Sequence, residues 1–173
     1  MAVLHEKVRG LPDFATLVKW DVSFSRTPGG LAVPNNFNFQ CLSTDIPKTD
    51  AGQTVDVWIR GNRVRQPGIY KSTDTIEMAF AETVDNAISE LIRSWRELCW
   101  ETNTNVQGNR SDVEADILLT RLNRQNEEIW SYKLIGCFLE DYDPAGGQLD
   151  GENTEILRPT LTVSYDYFED GPV

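Results

Sequence analysis

Apolar and polar residues alternate with a period of two along much of the chain, which is typical of strands that bury one face. The first such segment runs from Leu17 to Phe24, where every second residue is apolar. Further alternation and short apolar runs predict six more strands, at 36–41, Thr54–Arg60, Asp74–Ala81, Ile117–Leu122, Glu128–Leu139 and Thr160–Phe168. We expect the first two strands to pair antiparallel, because a segment rich in glycine and proline connects them.

The strand predicted at Thr54–Arg60 has a tryptophan on its polar side. Its apolar alternate positions are expected to face the core: Val55, Val57 and Ile59. Trp58 falls on the opposite face, between charged neighbours. An exposed tryptophan on a strand often anchors an interface, so Trp58 is a candidate contact residue. Packing beneath a helix is the alternative.

The strand predicted at Glu128–Leu139 is largely apolar on both faces. Ile129, Ile135 and Cys137 lie on one face, and Trp130 and Tyr132 lie on the other. A strand of this kind is expected to be covered on its second face too, by a helix or by a neighbouring subunit. Trp130 and Tyr132 are therefore candidate interface residues.

One amphipathic helix is predicted at Thr83–Glu101, where apolar residues recur at spacings of three and four. Thr83 is its expected N-cap, and Trp95 lies on the apolar stripe. The chain shows neither βαβ alternation nor an internal repeat. We therefore predict a mainly β fold with one flanking helix, a small barrel or sandwich of about six to eight antiparallel strands. The chain is expected to form one domain over residues 1–173, with 1–13 as an N-terminal arm.

Acidic residues outnumber basic ones by 27 to 16, so the formal net charge is −11. Nucleic acids and anionic membranes are held by lysine and arginine that neutralise phosphates, so this excess argues against both as bound partners. No apolar run approaches the length of a membrane span.

The charge is unevenly distributed along the sequence. Gly61–Thr73 is basic and contains no acid, whereas Glu140–Glu155 is acidic. We expect segments of opposite sign to meet between copies of the chain, since complementary charge sets the register of an interface. Solvated arginines on a loop are the alternative. The candidate interface residues are Trp58, Arg60, Arg63, Arg65, Lys71, Trp130, Tyr132, Glu140, Asp141, Asp143, Glu169 and Asp170.

The sequence contains few residues of the types and spacings that catalytic sites use. His5 is the single histidine and stands in the predicted arm, and no glycine-rich phosphate loop occurs. The three cysteines are far apart and are expected to act as small apolar side chains. We therefore predict no enzyme and no cofactor, although a pair of carboxylates among the 27 acids stays open. Asp141, Asp143 and Glu152 match part of a calcium-loop pattern, but the fifth position is Ala145, so a solvated acidic loop is favoured.

Several segments resemble, in order and spacing, the tail tube proteins of contractile-tailed bacteriophages and of related contractile injection systems. They are Asn36–Pro47, Val57–Gly68, Asp74–Phe80 and Leu161–Glu169, so that the resemblance spans roughly 14–169. It implies a small β-barrel or sandwich that assembles as hexameric rings with a continuous inner β-barrel. Rings of this family stack into a hollow tube for the ejection of DNA.

The resemblance also implies partners and a location. The expected partners are further copies of the chain, the tail sheath protein, and the baseplate initiator, tape measure and tail terminator proteins, with DNA passing through unbound. The expected location is the virion tail, assembled in the host cytoplasm. A net negative lumen would repel DNA phosphates.

Three alternatives remain at this point. The chain could be a baseplate tube initiator, or a tube protein of type VI secretion or another contractile injection system. It could also be a carbohydrate-binding β-sandwich that uses Trp58 or Trp130 as a stacking platform.

Overall fold

Antiparallel strands dominate the computed structural model, which describes residues 9–10, 16–49, 52–69, 74–144, 146, 152 and 154–173. The strands are β1 (Trp20–Arg26), β2 (Cys41–Thr44), β3 (Thr54–Ile59), β4 (Asn62–Pro67), β5 (Thr75–Phe80), β6 (Trp100–Glu101), β7 (Val106–Gln107), β8 (Ala115–Leu122), β9 (Glu128–Asp143), β10 (Thr160–Ser164) and β11 (Tyr167–Gly171). The α-helices are α1 (Phe37–Gln40), α2 (Ala87–Cys99) and α3 (Arg110–Val113). The predicted mainly β fold with one substantial helix is confirmed.

Seven strands form one sheet in the order β1-β8-β9-β10-β5-β2, with β11 also paired to β9. The sixteen-residue strand β9 belongs to both halves of this sheet. Its first part pairs with β8 and β11, and we call these strands with β1 the first half-sheet. Its last part pairs with β10, and we call these strands with β5 and β2 the second half-sheet. The sheet does not close, and the architecture is that of a β-sandwich.

The core lies between the two half-sheets and helix α2. The helix buries Ile88, Leu91, Ile92 and Trp95, and Trp95 is only 1% exposed. Phe24, Phe37 and Phe80 continue the packing with ring centroids about 5 Å apart, a separation typical of favourable aromatic pairs.

Two cysteines belong to this core, as the sequence predicts. Burial raises the pKa of the thiols of Cys41 and Cys137 to about 12. Both therefore remain protonated near neutral pH, where a thiol is a poor nucleophile and metal ligand.

A β-bulge at Gly136 explains the apolar pattern of β9. Gly136 has φ +69°, and its N–H donates to an Asp116 carboxylate oxygen at 3.2 Å. The bulge inverts the alternation, so that Leu134 before it and Cys137 after it are both buried. The predicted double-sided strand was therefore wrong in its reason, since one continuous core face changes parity at Gly136 and again at Glu140, where the register with β10 shifts.

The segment predicted as a strand at 36–41 is a helical turn followed by a strand. Helix α1 carries Phe37 into the core and leaves Phe39 83% exposed. The predicted pairing with the first strand is also wrong, because β1 pairs with β8 and β2 pairs with β5. Two phenylalanines spaced two apart, Phe37 and Phe39, fit one helical turn as well as a strand. The packing of Phe37 against Phe24 favours the turn.

The helix begins later than its sequence pattern indicates. Asn86, in the left-handed region, precedes α2, and the Glu82 carboxylate accepts the backbone N–H of Ser89 at 2.7 Å. Thr83 instead donates its hydroxyl to Asp85, so the predicted cap was wrong. Val84 lies outside the helix and is fully exposed.

The last predicted strand is two strands. Tyr165 is buried and the chain turns at Asp166, after which β11 joins the first half-sheet. Tyr167 is consequently exposed, although the alternation predicted it on the buried face.

Replacement of Gly136 by alanine tests the bulge. A Cβ at this position would lie 2.5 Å from an Asp166 carboxylate oxygen, and alanine is disfavoured at positive φ. We expect a loss of about 1–3 kcal/mol in the free energy of unfolding measured with urea. Gly171→Ala is the matched control, because a Cβ there meets nothing within 4 Å. Equal losses in both variants would contradict the role of the bulge.

Candidate functional site

Strands β3 and β4 form a hairpin that pairs with no other strand of the described residues. Every residue of the two strands is exposed, so we call them the projecting hairpin. Its turn is Arg60–Gly61, with φ +50° and +81°, the two positive values of a type I′ turn. Residues Asn62–Pro67 of the basic segment, which was predicted as a loop from Gly61, are thus strand β4. Lys71 lies outside the described residues.

One face of the projecting hairpin is apolar. Cross-strand register places Val57 beside Val64, with Val55 and Ile59 on the same face. All four were open to solvent in the single chain, so the prediction that three of them face the core was wrong. The alternation correctly predicts a strand with one apolar face, but the main sheet does not cover that face.

The opposite face carries Trp58, which is 67% exposed, and an ion-pair cluster. Asp56 contacts Arg63 at 2.9 Å and Arg65 at 3.0 Å. One carboxylate therefore serves two guanidinium groups, and the hairpin keeps a net positive charge with Arg60 at its tip. These exposed pairs contribute about 0–1 kcal/mol each to stability.

The outward face of the second half-sheet is built from hydroxyl and acidic residues. Its cross-strand rows are Ser43–Ala79–Thr160–Asp143, Glu77–Thr162–Asp141 and Thr75–Ser164–Phe138. These rows contain three carboxylates and neither lysine nor arginine. We call this surface the acidic wall.

Asp143, the last residue of β9, lies at one end of the acidic wall beside Thr160. The projecting hairpin leaves the sheet at the opposite end, where β5 begins at Thr75 beside Ser164. Asp143 and the projecting hairpin thus lie at opposite ends of the second half-sheet.

The calcium pattern falls partly within a strand. Asp141 and Asp143 belong to β9, and among the described residues no three histidine, cysteine, aspartate or glutamate side chains group as metal ligands. The strand conformation directs Asp141 and Asp143 to one face, whereas a calcium loop curls its ligands around the ion.

Trp130 and Tyr132 lie on the core side of β9 and are half-buried. The guanidinium carbon of Arg121 lies 5.9 Å from the centre of each ring. The sequence analysis did not single out Arg121. Its position two residues after Leu119 on an apolar face is the signal that could have found it.

Glu169 and Asp170 are exposed residues of β11. They stand opposite Lys133 and Tyr132 of β9. Among the helices of the described residues, none combines the length and the apolar character needed to cross a bilayer.

Arg60→Asn tests the hairpin turn. Asparagine accepts a positive φ more readily than arginine, so the hairpin should gain about 1 kcal/mol. We expect its backbone amides to exchange hydrogen about fivefold more slowly, as measured by NMR. Arg60→Lys is the control, since lysine shares the backbone preference of arginine. Faster exchange in the asparagine variant would exclude a type I′ turn.

Comparison with solved structures relates this geometry to known assemblies. The PVC sheath/tube terminator of an extracellular contractile injection system aligns with a TM-score of 0.65 at 15% identity, covering 94% of this chain and 99% of that one. The tube terminating cap of the anti-feeding prophage gives 0.63 at 16%, covering 95% of each. A chain of the PVC sheath-tube complex gives 0.61 at 13%, covering 98% and 97%.

No protein-family model and no curated protein matches the chain. The structural matches extend over nearly the whole of each partner, so they concern the complete fold and not one motif. They come from structural tube and terminator assemblies, in agreement with the resemblance read from the sequence. The chain has the fold of the tube and tube-terminator proteins of contractile injection systems.

Proposed function

We propose that this protein is a non-enzymatic subunit of the inner tube of a contractile tail, in which hexameric rings stack into a hollow conduit. The observation that carries the proposal is the projecting hairpin, whose apolar face meets no other part of the described chain. Four exposed aliphatic side chains in one row, Val55, Val57, Ile59 and Val64, favour contact with another subunit. A tube fold that exposes such a face is suited to self-assembly.

Sheet edges supply the second contact. In the described residues the second half-sheet ends at β2 on one side and at the last part of β9 on the other. Pairing of these two different edges between copies would be heterologous, and rings result when the rotation closes. Closure would also remove edges that otherwise invite uncontrolled pairing.

The acidic wall faces the lumen in this arrangement. Its carboxylates repel phosphates, and its rows offer no cation to hold them. The finer proposal is therefore a phage tail tube through which DNA is ejected, located in the virion tail and assembled in the host cytoplasm. The alternative is a conduit in a type VI or other injection system, which the same acidic wall would line.

Ring stacking would bring together the opposite ends of the subunit. Arg60, Arg63 and Arg65 at the hairpin end would face the acidic end near Asp143 on the next ring, and complementary charge would set the register. Trp58 would contribute an aromatic anchor to this contact. The tail sheath, baseplate initiator, tape measure and tail terminator proteins complete the proposed set of partners.

A terminator or initiator is the second candidate role. Terminator, sheath-tube and baseplate structures match with similar TM-scores, 0.65, 0.61 and 0.63. The fold is therefore shared by all three positions along a tube. Electron microscopy of the purified chain separates them, since a tube subunit forms long hollow tubes and a terminator forms single rings.

Val57→Asp tests the apolar face of the projecting hairpin. The position is exposed, so the monomer should fold with unchanged stability, whereas a carboxylate on the contact face should abolish rings and tubes in electron micrographs. Val84→Asp is the matched control, because this valine is also exposed but lies before helix α2. Wild-type assembly by Val57→Asp would refute the role of the hairpin.

Thr162→Lys tests the acidic wall. Six lysines per ring would place cations between Glu77 and Asp141, so assembled tubes should retain DNA at low salt and release it as salt rises. Retention is measured by sedimenting tubes with labelled duplex DNA. Thr104→Lys, at an exposed turn outside the wall, is the control. Equal retention by both variants would argue against a lumenal wall.

A further inference from the structure

One end of the sandwich core contains a cation where an apolar residue would be expected. Ile117, Leu119 and Arg121 follow one another on the core face of β8, and the first two are buried. Arg121 lies over the rings of Trp130 and Tyr132 at 5.9 Å from each. Its position is set by the strand alternation, which directs every second side chain inward.

Two hydrogen-bond donors at this end of the core have no partner among the described residues. The Nε of Arg121 and the indole nitrogen of Trp130 are buried, and no described residue accepts a hydrogen bond from either. No described carboxylate forms an ion pair with Arg121 within 4 Å. Buried donors and cations without acceptors are costly, so this arrangement favours an incoming group that carries negative oxygen atoms.

A cavity of about 170 Å³ gives access to Arg121. It opens between the two end strands of the sheet, with Trp20 of β1 on one side and Thr44 and Ile46 at the end of β2 on the other. Leu119 and Tyr132 contribute apolar surface, and Lys19 adds a second cation to the lining. The cavity therefore adjoins β2, an edge that the proposed ring pairs with a neighbouring copy.

The other edge of the second half-sheet carries an exposed carboxylate that its own sheet does not pair. The register between β9 and β10 shifts so that Leu139 and Asp141 have partners and Glu140 between them has none. Glu140 is exposed. An extra residue in a bulge directs its side chain away from the regular rows.

We propose that Glu140 of one copy enters the cavity of the adjacent copy in the ring and forms an ion pair with Arg121. This inference rests on the proposed function, because it requires the β2 and β9 edges of neighbouring copies to meet. The contact is heterologous, as each copy donates one carboxylate on one side and receives one on the other. The cavity lets the partner carboxylate reach a guanidinium group already held by two aromatic rings.

The test is ring formation by paired charge variants. Arg121→Gln and Glu140→Gln should each weaken association of the full chain by at least about tenfold, as measured by analytical ultracentrifugation over a concentration series. The charge-swapped double variant Arg121→Glu with Glu140→Arg should recover much of the wild-type association. Arg93→Gln and Glu90→Gln on helix α2 are matched controls that remove the same charges from an exposed surface.

The outcomes separate the inference from the proposed function. Rings that form equally well in wild type, Arg121→Gln and Glu140→Gln would overturn the ion pair and leave the tube role standing. A wild-type chain that stays monomeric at every concentration would overturn both. Glu140 is exposed, so its variant keeps the test valid even if Arg121→Gln unfolds, which circular dichroism would reveal. Failure of the charge swap to recover association would also count against direct pairing.

Discussion

The sixteen-residue strand β9 is the constraint on which the rest of the structure depends. It is the one strand shared by both half-sheets, and it serves both only because Gly136 inverts its alternation. Without that inversion, the residues after the bulge would direct their apolar side chains away from the core that the residues before it fill. The carboxylate of Asp116 accepts the backbone N–H of Gly136. The side chain of Asp166 occupies the space that a Cβ at position 136 would need. The bulge at Gly136 thus keeps apolar residues of β9 on the core face, and the second bulge at Glu140 places Asp141 and Asp143 on the outer face.

The projecting hairpin shows the opposite situation, in which regular local structure has no tertiary partner. Its strands pair along their full length and its turn has the expected handedness, yet its apolar face remains outside the core. Four exposed aliphatic side chains would each be worth roughly 1.5–3 kcal/mol if fully buried. Burying that exposed apolar surface against another subunit makes assembly favourable. The ion pairs around Asp56 give the other face a polar, hydrated surface.

The functional effect of the charged residues depends on where they lie in the fold. The net charge of −11 could describe many acidic domains. In the folded chain the acidic wall contains carboxylates without cations, the projecting hairpin is basic, and Arg121 occupies one end of the core. Repulsion along one surface and attraction at others are compatible, because ions separated by more than about 8–10 Å are screened at physiological salt. A conduit requires this combination, since its wall must release what passes while its subunits hold together.

The sequence by itself determined the local structure where one periodic pattern had one physical solution. It predicted most strands, the position of helix α2, the core place of Trp95 and the resemblance to tube proteins. It failed where a pattern had two solutions, as at Phe37 and Phe39, or where a glycine changed parity, as at Gly136. Only the tertiary structure decided which apolar faces are covered, because burial depends on residues far away in sequence. It also brought Arg121 to Trp130 and Tyr132, aligned Glu77, Thr162 and Asp141 across three strands, and left the hairpin uncovered, since these relations arise from strand pairing between distant segments.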